Sequence, residues 1–186
     1  KKSNKFVPHF HIPLQSGSDA ILSKMKRRYQ TKLYREKIEK IINDINDVCI
    51  GADVIVGFPG ETEKEFEETL TFIKSLPISY LHVFSYSERE NTLATKFEKK
   101  VNKITKVKRS KKLRFLSNKL LRNFYERHIG TKHTVLFEQD NHDEMLYGFT
   151  DNYIKVKVPF NKKLCSSKKQ VDLIKIDSDG IMNAKL

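Results

Sequence analysis

Tryptophan is absent and cysteine nearly so, Cys49 and Cys165 being the only thiols in the chain. They stand far apart and neither has a Cys-x-x-Cys neighbour. That excludes a disulfide framework and a metal knuckle, and each reads as an ordinary structural or surface cysteine. Long apolar runs are missing as well. Nothing approaches the roughly 18 residues that cross a bilayer, and the lysine-rich start lacks the apolar segment of a signal peptide, so no membrane is expected and the cytoplasm is the expected compartment. Acids are scarce in one half only: residues 1–97 carry a net charge of +2 and residues 98–186 one of +11, of +13 in all. The asymmetry points to a polyanionic partner for the second half, nucleic acid before an anionic membrane surface. The plainer reading is a solvated lysine-rich face. Internal repeats and low-complexity tracts are also lacking.

What is present suffices for real cores. Of 186 residues 38% are hydrophobic, with 12 Phe and 7 Tyr, enough for one or two globular domains. The most informative stretch is Asp53-Val54-Ile55-Val56-Gly57-Phe58-Pro59-Gly60-Glu61-Thr62. Its apolar run without polar alternation reads as a parallel strand covered on both faces, beginning at Asp53. Gly57 and Gly60 let the following loop turn tightly and approach a ligand, and Pro59 stiffens it. Thr62 and Glu65 have capping-box spacing, Phe66, Leu70 and Ile73 continue at helical spacing, and Pro77 ends the pattern. The loop thus lies at the carboxyl end of a strand, where α/β enzymes place their chemistry.

The same order occurs on either side. His9 to Leu14 reads as a strand, Gln15 to Asp19 as its loop, Ser18 or Asp19 as a helix cap, and Ile38, Ile41, Ile42 and Ile45 as the apolar side of a second helix. Tyr80 to Ser85 reads as a third strand. Three strands cannot close a barrel, and the chain starts mid-pattern at Lys1, so it reads as a fragment whose first strand has lost its upstream partner. Residues 99–127 carry 12 Lys or Arg against one acid, Glu126. Leu113, Leu116, Leu120, Leu121 and Phe124 nevertheless keep one apolar face, which predicts an amphipathic basic helix ending near Gly130. Beyond it five short segments of period two, the last after Asp179-Gly180, predict a small antiparallel barrel.

Generic chemistry stops there. His9 and His11 alternate onto one face of a strand, but Asp53, read as the start of its strand, is badly placed to join them, so packing is expected and no metal. No Ser-His-Asp or Cys-His arrangement has spacing support, and Gly57 to Gly60 lacks both the Walker and the dinucleotide pattern.

Taken together, in order and spacing, His9-Phe10-His11-Ile12-Pro13-Leu14-Gln15-Ser16-Gly17-Ser18-Asp19, Met25-Lys26-Arg27-Arg28-Tyr29, Asp53 to Thr62 and Tyr86-Ser87-Glu88-Arg89 resemble the second half of a radical-SAM methylthiotransferase. The resemblance covers essentially the whole chain. It implies an α/β fold: the C-terminal half of a partial (β/α)6 radical-SAM barrel over residues 1–98, a basic amphipathic helix over 99–128 and a TRAM RNA-binding β-barrel over 129–186. Gln15-Ser16-Gly17-Ser18 is similar to the tRNA-modifying branches rather than the ribosomal-protein branch. Gly51-Ala52-Asp53 and Gly148 to Val156 are similar to the branch that modifies threonylcarbamoyladenosine, placing a methylthio group on C2 beside the tRNA anticodon. The isopentenyladenosine branch is the alternative. A non-catalytic RNA-binding module and a metal-dependent hydrolase using His9 and His11 are readings from other classes.

By the same resemblance the cofactors are S-adenosylmethionine (SAM) and two 4Fe–4S clusters, whose Cys-x-x-x-Cys-x-x-Cys ligands would lie upstream of Lys1, in a missing N-terminal half. This chain alone is then expected to be inactive. Gln15, Ser16, Ser18 and Arg27 are implied for the methionine and ribose polar groups of SAM, and Gly57 and Ser85 for its adenine. An Arg suits a carboxylate through its fork of donors. Capping and surface charge are the structural alternatives for Ser16, Ser18 and Arg27. Ser85, Asn91 and Leu93 stand where the family more usually has Pro, Gly and Pro. For the tRNA anticodon stem-loop the expected contacts are Lys108, Lys111, Lys112 and Lys119 on the helix. On the barrel they are Lys155, Lys162, Lys163, Lys168 and Lys169, which with Lys157 form a cluster free of acids in sequence.

Overall fold

The computed structural model describes residues 5–89, 92–97, 99–142 and 144–186; Asn91, expected at a turn, lies outside them. The chain divides into two compact units. One comprises Phe10–Asp44 and Ile50–Leu120; the other joins Ile45–Cys49 and the residues before Phe10 to Leu121–Leu186.

The first unit is built on a three-stranded sheet in the order β1 (His9–His11), β2 (Cys49–Val56), β3 (Tyr80–Ser85). β2 and β3 are parallel, in register from Gly51 opposite Tyr80 to Val56 opposite Ser85. Beyond β1, Gln15 bridges Val54 in the parallel sense. β2 begins four residues before Asp53, so Asp53 sits at mid-strand and not at its start. Gly51 lies inside the strand, where a glycine weakens the local strand signal. Ile50, Ala52, Val54 and Val56 alternate onto one face of β2 and are wholly buried. They share the core with Ile21 and Leu22 of α1 (Asp19–Lys24), Ile38 of α2 (Thr31–Asp44), and Phe66, Leu70 and Ile73 of α3 (Glu63–Lys74). Burying each such side chain contributes about 1.5–3 kcal/mol. The capping box forms as its spacing predicts: Thr62 Oγ1 accepts from the Lys64 amide at 3.2 Å, and Glu65 accepts from the Thr62 amide at 2.8 Å.

α4 (Lys103–Glu126) is the basic helix, 24 residues long. Leu113, Leu116 and Phe124 are buried as the spacing predicts, whereas Leu120 and Leu121 are only half-buried. Ser117 fixes its middle to β3, the hydroxyl accepting from the Leu81 amide at 2.8 Å and donating to the Leu81 carbonyl at 3.1 Å.

The second unit contains a closed barrel of β4 (Lys132–His142), β5 (Met145–Thr150), β6 (Lys155–Pro159), β7 (Lys168–Ile176) and β8 (Met182–Lys185), ordered β4-β5-β6-β8-β7. It is not wholly antiparallel, because β6 and β8 run parallel at the closure. Alternation in a sequence fixes which face a side chain takes but not which way the partner strand runs. Val135, Phe137, Leu146, Val156, Val158, Val171, Leu173 and Met182 fill the interior. A polar network is also buried in this unit. Thr150 Oγ1 donates to Asn152 Oδ1 at 2.6 Å, Asn152 Nδ2 donates to the Asp47 carbonyl and to His128 Nε2, both at 3.1 Å, and His128 Nδ1 donates to the Phe124 carbonyl at 2.7 Å. Burial lowers the His128 pKa, and a neutral imidazole is what this pattern of one donor and one acceptor nitrogen requires.

Candidate functional site

At the carboxyl end of β2, Gly57 and Gly60 adopt φ of +75° and +83°, the left-handed region that glycine enters without strain. The close approach that Gly57 allows is made by α4: a Cβ there would lie 2.4 Å from Lys106 Cγ. Lys106 Nζ runs on to donate to the Tyr86 carbonyl at 3.0 Å. The loop is held from within by Glu61, whose carboxylate accepts from the Gly57 amide at 2.6 Å and from Arg109 Nη1 at 2.8 Å. Arg109 also donates to the Glu61 carbonyl at 3.1 Å and to Glu63 at 3.1 Å, while its Nε, also buried, finds no partner among the described residues. The Glu61 and Arg109 side chains are 1% and 6% exposed. Burial pushes the Glu61 carboxyl up, opposed by the Gly57 amide and by Arg109. α4 therefore commits Arg109 to the β2–α3 loop and packs the stem of Lys106 on Gly57 while its ammonium holds the loop after β3.

The residues expected to line a cofactor fall into different surroundings. Gln15 is almost buried in the left-handed region at φ 69°, its carbonyl accepting from the Ile55 amide at 2.9 Å. Ser16 and Ser18 are buried and turned to α3: Ser16 Oγ lies 3.2 Å from Thr69 Oγ1, and Ser18 Oγ donates to Glu68 at 2.6 Å. Ser18 precedes α1 without capping it through its side chain. Arg27 lines a concavity of about 810 Å³ with Asp19, Arg28, Tyr29, Lys32 and Glu36. Ser85 lines another, of about 400 Å³, with Ile55, Phe84, Tyr86 and Arg89, and its hydroxyl is 2.9 Å from Ser110 Oγ.

The expected RNA-facing lysines are exposed at 108, 111, 112 and 119 on α4 and at 162, 163, 168 and 169 on the barrel unit; Lys155 is half-buried, its ammonium 5.2 Å from the Tyr147 ring centre. Lys112 already meets Glu67 at 2.5 Å. Lys157 does not belong to an acid-free cluster in space. The turn between β7 and β8 brings Asp177 and Asp179 to its ammonium at 2.9 Å and 2.6 Å.

One constellation escaped the sequence. His11 on β1, Asp53 on β2 and His82 on β3 share a face of the parallel sheet, with one nitrogen or oxygen from each lying within 4.8 Å of the others. The signal was available in principle, because placing Tyr80 opposite Gly51 puts His82 opposite Asp53. It required the register of two strands, which no local pattern supplies. His9, the expected companion of His11, instead stacks on Tyr153 at 4.0 Å between ring centres.

Iron–sulfur clusters need several converging thiolates. Cys49, buried in β2, and Cys165, before β7, belong to one unit but lie on separate elements, and neither is part of a metal-ligating group among the described residues, so a cluster does not fit these cysteines. No helix among the described residues is long and apolar enough to cross a membrane.

The parallel strands, with a loop and a capped helix after the middle one, give a mixed α/β fold, and residues 1–73 match the Radical SAM superfamily. The chain is 38% identical over 159 residues to the threonylcarbamoyladenosine tRNA methylthiotransferase of Bacillus subtilis, which covers 83% of this chain and 35% of that protein. It is 42% identical to that of Aquifex aeolicus, over 82% of this chain and 36% of that protein. A tRNA-2-methylthio-N(6)-dimethylallyladenosine synthase of Symbiobacterium thermophilum is 35% identical over 88% of this chain and 35% of its own length. The chain belongs to the radical-SAM methylthiotransferase family, and it spans about a third of the curated relatives it matches.

Proposed function

We propose that this chain is the C-terminal part of a cytoplasmic radical-SAM enzyme that places a methylthio group on C2 of threonylcarbamoyladenosine beside the tRNA anticodon. The observation that carries the reading is the identity to threonylcarbamoyladenosine tRNA methylthiotransferases, 38–42% along more than four fifths of the chain. In this reading the three parallel strands are half of a (β/α)6 barrel, the five-stranded barrel is a TRAM domain, and the divisions fall near residues 98 and 128. S-adenosylmethionine, when bound, supplies the radical. Gln15, Gly57 and Ser85 at the strand ends and the Arg27 guanidinium would hold it, with Ser16 and Ser18 fixing the Gln15 loop to α3. The iron–sulfur ligands are assigned to the part of the full-length protein that this chain does not span. Lys108, Lys111 and Lys119, together with Lys162, Lys163, Lys168 and Lys169, would neutralise tRNA phosphates, with Lys112 and Lys155 at the margin because each already has a partner.

The test is to express the full-length gene in a bacterium lacking its threonylcarbamoyladenosine methylthiotransferase and to analyse tRNA nucleosides by mass spectrometry. Reappearance of the methylthiolated threonylcarbamoyl nucleoside is expected. Its absence, with methylthiolation of isopentenyladenosine restored in a strain lacking that activity, would transfer the protein to the sibling branch.

A further inference from the structure

We propose that His11, Asp53 and His82 form a binding site for one divalent transition-metal ion of the zinc class, separate from any iron–sulfur centre. Two imidazoles and one carboxylate are a donor set suited to such an ion, with coordination positions left for water or another ligand. The three come from three adjacent strands and share one sheet face, His82 directly opposite Asp53 and His11 in the neighbouring row, where the Ile12 amide donates to the Gly51 carbonyl, so the backbone and not flexible loops sets their spacing. Asp53 Oδ1 is 2.6 Å from His11 Nε2 and 3.5 Å from His82 Nδ1. Donors about 2.0–2.1 Å from a tetrahedral ion stand roughly 3.3 Å apart, so the His82 edge already has the required length and the His11 edge needs to open by roughly 0.7 Å. The side chains are 30%, 23% and 56% exposed for His11, Asp53 and His82, which leaves an entry path.

The surroundings supply an outer shell. His11 Nδ1 lies 3.4 Å from the Tyr80 hydroxyl, the kind of partner that fixes the tautomer and ring orientation of a metal-ligating histidine. A hydroxyl both donates and accepts. Tyr80 can therefore donate to Nδ1 while Nε2–H faces Asp53, and accept from Nδ1–H once Nε2 binds an ion, so the ring changes tautomer without losing a hydrogen bond. Gly51 is the device that admits Tyr80. A Cβ on Gly51 would sit 2.2 Å from the tyrosine ring, so any larger residue there would push Tyr80 away from His11.

The test uses the untagged chain and cobalt(II), whose visible absorption reports few-coordinate nitrogen and oxygen ligation. We expect one cobalt per chain at neutral pH, displaced by an excess of zinc, which takes the same tetrahedral nitrogen and oxygen donors. Asp53→Asn and His82→Asn should each weaken binding more than about a hundredfold, beyond the roughly 10–100-fold that loss of an outer partner costs, and Tyr80→Phe by about tenfold. His133→Asn is the control, because His133 pairs with Asp151 at 3.1 Å in the other unit and offers a competing His–carboxylate pair. Circular dichroism keeps folding separate from binding, and His82, the most exposed of the three, provides the variant least able to disturb the core. A second readout needs no chromophore: zinc should raise the thermal midpoint of the parent and not of His82→Asn, since a ligand that binds only the folded state stabilises it. Absence of saturable cobalt binding, or binding lost in His133→Asn and retained in folded Asp53→Asn, overturns the proposal. Neither outcome depends on the methylthiotransferase reading.

Discussion

Arg109 and Glu61 form a buried charge pair, and the energetics of such a pair are asymmetric. Replacing both members by apolar groups can be neutral, whereas removing one strands the other in a low-dielectric site at about 3–5 kcal/mol. Arg109→Met is therefore expected to cost about that much in urea unfolding. Glu61 already has a raised pKa, through burial, and loses an opposing cation in the variant. A carboxyl whose folded pKa lies above its unfolded value contributes its stability at low pH and loses it as pH rises through the folded value. The Arg109→Met deficit should thus shrink on acidification toward the ordinary carboxyl range. A deficit that is constant with pH, or is under 1 kcal/mol, would mean the pair does not hold the loop. In sequence this arginine is one more charge on a basic helix. Its partner lies 48 residues away, and helical spacing says only that it neighbours Leu113. Thr62 and Glu65 were legible for the opposite reason, as a cap is a contact between residues three apart.

At the scale of an element, the hairpin of β7 and β8 is closed by charge. Lys157 holds Asp177 and Asp179, and hydrogen bonds from it and from the Ser178 amide push the Asp177 carboxyl down to about 2. A depressed carboxyl contributes stability above its unfolded pKa, which is lost as pH falls through the folded value. The barrel's thermal midpoint should therefore drop between pH 4 and pH 2. Lys157→Met should flatten that part of the profile. An equally steep profile in the variant would place the acid sensitivity elsewhere. β3 was readable residue for residue because Pro77 and a polar loop bound it. The parallel β6–β8 pair and the lysine's two acids were not, since both depend on chain ends brought together by barrel closure.

At the scale of the molecule, periodicity gave the order of strands and helices and the five-stranded barrel, and the family came from long motifs in register. What the sequence withheld is spatial: the alignment that brings His11, Asp53 and His82 together, the turn of Ser16 and Ser18 toward α3, and the division of helical cations between internal latches and exposed surface. That division sharpens the charge argument. Arg109 and Lys106 serve the fold and Lys112 and Arg122 are paired, so Lys108, Lys111 and Lys119 are among the exposed helical cations left to meet a polyanion.

The measurement that bears most directly on this chain's role is its affinity for whole tRNA across a salt series. The comparison is between the parent, a Lys108→Glu, Lys111→Glu, Lys119→Glu variant and a Lys162→Glu, Lys163→Glu, Lys168→Glu, Lys169→Glu variant. The account predicts that parent affinity falls by roughly 0.7–0.9 logarithmic units per decade of salt for each phosphate neutralised. Both variants should bind more weakly with shallower slopes, the helix variant more so. A helix variant that binds tRNA with the parent's affinity and slope would contradict it, leaving the charge of α4 a solvated face and the chain without its proposed hold on RNA.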